Sequence, residues 1–93
     1  MIINFKSKKT ESIWIGDQDK KWPVNFQIIA RRKLRMLNNS QNLADLRIPP
    51  SNRLEKLTDN LKGYYCIRIN KQWRIIFKWN NGNALDVKII DYH

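Results

Sequence analysis

Apolar and polar residues alternate through the last thirty positions of the chain. Tyr65, Ile67 and Ile69 fall on one side of an extended backbone, and Cys66 and Arg68 on the other. Beyond a tight turn at Asn70-Lys71, the residues Trp73, Ile75, Phe77 and Trp79 alternate with Arg74, Ile76 and Lys78. Asn81-Gly82 is the dipeptide that two-residue hairpin turns favour. After it, Leu85, Val87 and Ile89 oppose Asp86, Lys88 and Ile90. The pattern predicts three antiparallel strands in a meander, with one apolar face.

The first half has a different period. Phe26, Ala30, Leu34 and Leu37 recur at four- and three-residue steps, which predicts a helix entered through Pro23 and ended by Asn38 and Asn39. Arg31, Arg32 and Arg35 lie off that stripe, on a face open to solvent or to a partner. A shorter helix is predicted between Ser7 and Gly16, with Ile13 and Trp14 as its apolar residues, and Asp17 to Lys21 is a charged break. Met1 to Lys6 predicts a first strand with Ile3 and Phe5 on one face. Gln41 to Arg47 predicts one further turn, Leu43 and Leu46 packing inward. Pro49-Pro50 predicts extended backbone, and Ser51 to Asn60 a loop carrying Arg53, Glu55, Lys56 and Asp59. The helical stripes have only the sheet to pack on. The expected fold is therefore α+β, with the helices on one face and Arg68, Arg74, Lys78 and Lys88 on the other.

Length limits this to a single domain over residues 1–93. A net charge of +10 changes the functional picture more. The excess is +6 up to residue 60 and +4 beyond it, so it is spread over the folded body rather than held in a tail. Such a distribution favours a polyanionic partner, RNA, DNA or a ribosomal surface, over charge kept for solubility alone. Cys66 is the only cysteine and His93 the only histidine, which excludes an intrachain disulfide and a four-ligand zinc site. With no apolar run near ~20 residues and no signal-peptide pattern, no membrane role is expected and the cytoplasm is the default location.

The chain ends Asp91-Tyr92-His93, and alternation puts Asp91 and His93 on one side of the strand and Tyr92 on the other. Metal-free RNA cleavage requires that the 2′-hydroxyl lose a proton, that charge on the phosphorane be stabilised, and that the 5′-oxygen gain a proton. Histidine as a residue type titrates near neutrality, so His93 fits either proton step. Tyr92 can act as acid or base beside cations. Arg74 matches two phosphate oxygens at once, and Asp91 can orient His93 or a 2′-hydroxyl. Read from residue types alone, a C-terminal histidine is more often an inert end than a catalytic group, Trp73 is more readily core than a base-stacking platform, and Arg74 has an ordinary exposed strand residue as its alternative.

These residues also carry a resemblance. The runs Ile48-Pro-Pro-Ser-Asn-Arg-Leu-Glu-Lys-Leu57, Gly63 to Asn70, Gln72 to Phe77, Asn81-Gly82, Asp86-Val87 and Ile89 to His93 together resemble the HigB toxins of the RelE/ParE superfamily. The resemblance implies a small RelE-like domain in the order β-α-α-β-β-β, with a twisted antiparallel sheet and helices packed on one face. It implies the toxin of a type II toxin-antitoxin system, a ribosome-dependent endoribonuclease that cuts mRNA in the ribosomal A site without metal or other cofactor. It further implies a HigA-like helix-turn-helix antitoxin as partner. Carried over by position, Asp91, Tyr92, His93 and Arg74 are the expected catalytic residues. Arg68, Lys71, Lys78, Arg53, Lys56 and Lys62 are the expected RNA contacts. Some HigB members carry another histidine before the second strand; this chain has Glu55 at about that point, so Glu55 and Tyr92 are the groups left to share proton transfer with His93. Two other functions remain: a gyrase-inhibiting toxin as in the ParE branch, and a non-catalytic remnant that binds RNA or antitoxin. The Asp-Tyr-His ending and Arg74 favour the nuclease.

Overall fold

In the computed structural model, which describes residues 1–16 and 22–92, Ser7 starts the first helix. Its Oγ accepts the Thr10 amide at 3.1 Å, a side-chain cap that satisfies one donor of the first turn. Helix α1 (Lys8–Ile15) ends at Gly16, whose left-handed backbone (φ 98°) returns its N–H to the Ser12 carbonyl. The charged break at 17–21 lies outside the described residues. Helix α2 (Val24–Asn39) buries Phe26, Ala30, Leu34 and Leu37, as its spacing predicts. Pro23 is the residue before its first turn rather than inside it. Arg31 is not simply solvated: its Nε donates to the Ile13 carbonyl at 2.8 Å and ties α2 to the end of α1, where a cation also suits the helix dipole.

The sheet has four antiparallel strands in sequence order, β1 (Glu55–Lys56), β2 (Tyr65–Arg68), β3 (Trp73–Asn80) and β4 (Asn83–Asp91). The predicted meander is present, with Asn81 and Gly82 both at positive φ in the hairpin turn. The turn after β2 spans four residues, 69–72, and Asn70 Oδ1 closes it by accepting the Gln72 and Trp73 amides at 2.9 and 2.8 Å.

Four expectations are corrected. The segment 51–60 is not a plain loop but supplies edge strand β1 between two 3₁₀ turns, Pro50–Asn52 and Asp59–Leu61. Two residues are too short a strand to leave an alternation pattern. Pro49 is extended (φ −72°, ψ 154°), but Pro50 opens the 3₁₀ turn, because a missing N–H is harmless at a first helical position.

In β4, Ala84 and Val87 face the core, not Leu85. A bulge between Ile76 and Lys78 of β3 sets Asp86 and Val87 opposite Phe77, with Asp86 at φ 51°. The extra residue turns Leu85 to the open face. The N-terminal segment follows this bulge. It bridges β4 in parallel at Ile2–Ala84 and Phe5–Val87, a three-residue step on both sides. Ile2 and Phe5 therefore pack on the core, and Ile3 is 53% exposed. Asn4 fills the gap, accepting the Asp86 amide at 3.0 Å and donating to its carboxylate at 2.8 Å.

The main core lies between the helices and one sheet face, with Ile13, Leu34, Leu37, Ile67, Ile75, Phe77 and Val87 fully buried. Leu46 joins them from the 3₁₀ turn Leu43–Arg47, with Leu43 partly buried beside it. Trp73 packs with Trp22 and Phe26, ring centroids 4.9 and 5.8 Å away, so it is core and not a stacking platform.

Thr10 joins helix to sheet. Its buried Oγ1 accepts the Ile89 amide at 3.0 Å and lies 3.0 Å from Ser7 Oγ. Replacing Thr10 with the near-isosteric valine strands that buried N–H, and the expected loss is ~1–3 kcal/mol of stability. Urea titration reads it, and an unchanged midpoint would remove this role from the hydroxyl.

Candidate active site on the open sheet face

Strands β2 and β3 turn Cys66, Arg68, Arg74, Ile76 and Lys78 away from the helices, as alternation requires. This face is not bare, however. The segment 57–64 folds over it and buries Leu57, Tyr64, Cys66 and Ile76 in a second small core, with Leu61, Ile90 and Tyr92 packed alongside. A basic sheet left wholly open by the helices is thus half covered by its own loop, and the uncovered part is a border.

Arg74 stands at that border. Its Nη1 lies 3.5 Å from Glu55 Oε2 on β1 and 3.5 Å from Cys66 Sγ beneath it. Its guanidinium carbon sits 4.4 Å from the centroid of the Tyr92 ring, a cation–π contact. The Nε–H is buried and has no protein acceptor among the described residues. Burial pushes the Cys66 thiol up, an effect the adjacent Arg74 partly offsets, so Cys66 is packing rather than a nucleophile. Beside this group runs a groove of about 670 Å³ lined by residues 55–61 and Tyr92.

Register decides which expected site residues meet. Arg74 pairs with Ile90 on the open face, whereas Trp73, on the core side, pairs with Asp91. Tyr92 and Arg74 therefore come together, and Asp91 lies on the helix side, where its Oδ2 accepts from Gln72 Nε2 at 3.0 Å. Gln72 also fixes the strand end through its carbonyl, which accepts the Tyr92 amide at 2.7 Å. His93 lies outside the described residues. Further along the open face, Lys78 sits over Tyr64 (5.2 Å to the ring centroid) and 3.7 Å from Asp86. Lys6, which sequence reasoning passed over, donates to the Tyr64 hydroxyl at 3.2 Å. That bond is the main cause of the rise in the Lys6 pKa. Lys56 and Lys62 are exposed near the groove. Arg53, Arg68 and Lys71 gather separately, around the free end of β2. Nothing local in sequence marks Lys6 or Tyr64, because they meet across 58 positions.

Comparison with known proteins agrees with this architecture. Residues 3–93 match the family described as HigB-like toxin, RelE-like toxin of type II toxin-antitoxin system HigB. The chain is 44% identical over 87 residues to Toxin HigB-1 of Vibrio cholerae, covering 92% of each. It is 42% identical over 78 residues to an uncharacterized protein of Haemophilus influenzae, covering 84% of this chain and 76% of that one. Among solved structures, a YoeB-YefM toxin-antitoxin heterotetramer from Staphylococcus aureus contains a chain that superposes with TM-score 0.60 at 22% identity, covering 100% of this chain and 95% of that one. At that identity the likeness speaks for the fold alone.

Proposed function

The chain belongs to the HigB-like family of RelE-like toxins of type II toxin-antitoxin systems, and from that premise we propose that it is a metal-independent endoribonuclease cutting mRNA in the ribosomal A site. The observation that carries the proposal is the Arg74 guanidinium, held between Glu55 and the Tyr92 ring beside the groove that Glu55 and Tyr92 line. A planar guanidinium beside an open groove suits a phosphate, whose two oxygens it can meet at once.

In this reading the scissile phosphate lies against Arg74, which stabilises the charge that builds on the non-bridging oxygens. Glu55, half exposed beside it, takes the proton from the 2′-hydroxyl. The 2′-oxygen bonds to phosphorus, the bond from phosphorus to the 5′-oxygen breaks, and His93 or Tyr92 protonates the leaving oxygen. Asp91 acts from the other side of the strand, holding its end in place through Gln72. Lys78, Lys56 and Lys62 hold neighbouring stretches of backbone. The partners are then the ribosome, its mRNA and, in the cytoplasm of the same cell, a HigA-like antitoxin; membership of a family of type II toxin-antitoxin toxins supports an antitoxin partner.

The test is induction in cells with transcript 5′ ends mapped. Cuts in translated mRNA, in register with codons, are expected. Broken DNA with intact mRNA would replace this reading with gyrase inhibition, and normal growth would reduce the chain to a non-catalytic binder.

A further inference from the structure

A second recess lies at the free end of β2, beyond the two residues that β1 covers. It has a volume of about 440 Å³, and its walls bring together Lys33 from α2, Arg53 from the loop after the 3₁₀ turn, Arg68 from β2 and Lys71 from the β2–β3 turn. Ser51 and Asn70 complete its polar lining, and among the described residues no carboxylate lines it. Four cations from four segments converge with no anion among the described residues that line the recess. Such an arrangement repels itself unless a ligand of opposite charge enters.

The recess is built rather than incidental. Asn52 is fully buried, and its amide nitrogen bonds the Leu46 carbonyl at 3.1 Å and the Met36 sulfur at 3.0 Å. Its Oδ1 accepts from Lys33 Nζ and so aims the lysine at the recess. Burial, with Arg32 nearby, lowers the Lys33 pKa. Arg53 follows directly in the left-handed region at φ 47°, a conformation that costs a non-glycine residue of order 1 kcal/mol and gathers at binding sites.

The recess is also separate from the Arg74 site. Arg68 and Arg74 are direct cross-strand partners, where like charges are unfavourable. Glu55 lies against Arg74, while Arg68 turns the other way, its Nε donating to the Asn70 carbonyl at 3.0 Å.

We propose that this recess is a phosphate cradle holding a second RNA phosphodiester, distinct from the one cleaved at Arg74, with Lys33 as its innermost cation and Asn52 as the positioning residue. The proposal rests on the ribonuclease reading. The phosphodiester belongs either to the transcript or to ribosomal RNA, which offer the same chemistry.

The test uses the full chain, labelled with ¹⁵N, titrated with a 2′-O-methyl RNA hexanucleotide that cannot be cut and, in parallel, with inorganic phosphate. Amide shifts are expected at Arg53, Asn70 and Lys71. The double variant Arg53→Asn/Lys71→Ala keeps a residue that tolerates the left-handed backbone. It is expected to weaken RNA binding about tenfold and to lower the slope of log affinity against log salt by about 0.7, the value for one single-strand phosphate. Lys33→Gln is expected to act in the same direction. Weakening towards the hexanucleotide assigns the phosphate to the transcript; weakening towards vacant ribosomes alone assigns it to ribosomal RNA. Unchanged affinity and salt slope for both would overturn the cradle, and shifts with inorganic phosphate alone would leave only a free-anion site. Wild-type protein that binds RNA at the cradle but cuts no mRNA would sink the ribonuclease reading and leave the cradle standing.

Discussion

On the proposed mechanism, Arg74→Ala is expected to slow mRNA cleavage on programmed ribosomes by about 10²–10³-fold, the cost of removing one group that stabilises charge in a transition state. The fold is expected to survive the change. Glu55, the ion-pair partner, has a 56% exposed side chain and is readily hydrated once alone, so the pair contributes at most about 1 kcal/mol. The contact with Tyr92 adds about 0.5–1 kcal/mol. Circular dichroism and the melting temperature of the variant should therefore stay close to wild type while cleavage collapses. Arg74→Lys separates charge from shape. Lysine restores a positive charge but not the planar fork that meets two phosphate oxygens, so recovery is expected to be partial. Single-turnover cleavage with saturating toxin reads the chemical step apart from binding. Arg74→Ala activity within a few-fold of wild type would remove Arg74 from the reaction.

The second large effect is on stability. Phe77→Ala is expected to cost ~3–5 kcal/mol, the usual loss for a buried aromatic truncated in a packed core. Phe77 is fully buried, lies beside Tyr65 and Trp79 with ring centroids 6.1 and 6.2 Å away, and faces the bulge of β4. Its removal therefore opens a cavity where the sheet, the N-terminal segment and the helices meet. For a domain of this size each kcal/mol is worth roughly 4–8 °C, so a drop of more than ~12 °C in melting temperature is expected. Total stabilities of small domains are ~5–15 kcal/mol, so the variant should lose toxicity through folding and not through chemistry. A melting point within a few degrees of wild type would mean that the core closes over the gap.

These two residues show what was legible. Arg74 and Phe77 sit one odd and one even step along the same alternating run, and alternation alone assigns one to the open face and the other to the core. The α2 stripe at Phe26, Ala30, Leu34 and Leu37 is equally local, because a helix repeats its face every three to four residues. Leu85 and Ile3 show where local reasoning stops. A bulge inserts one residue and reverses the face of everything before it, and the N-terminal segment then copies that step to stay paired.

By itself the sequence determined the α+β class, the meander, the helical stripe, the basic charge and the likeness of the chain to HigB toxins, since each is written in periods of two to four residues or in contiguous motifs. Tertiary structure alone decided that Glu55 reaches Arg74 across β2, that Tyr92 and not Asp91 meets Arg74, and that Lys33 joins Arg53, Arg68 and Lys71. Those relations depend on register and on how a loop folds over a sheet face. Register is set by side chains far apart in sequence competing to be buried, and no single stretch of the chain carries that outcome.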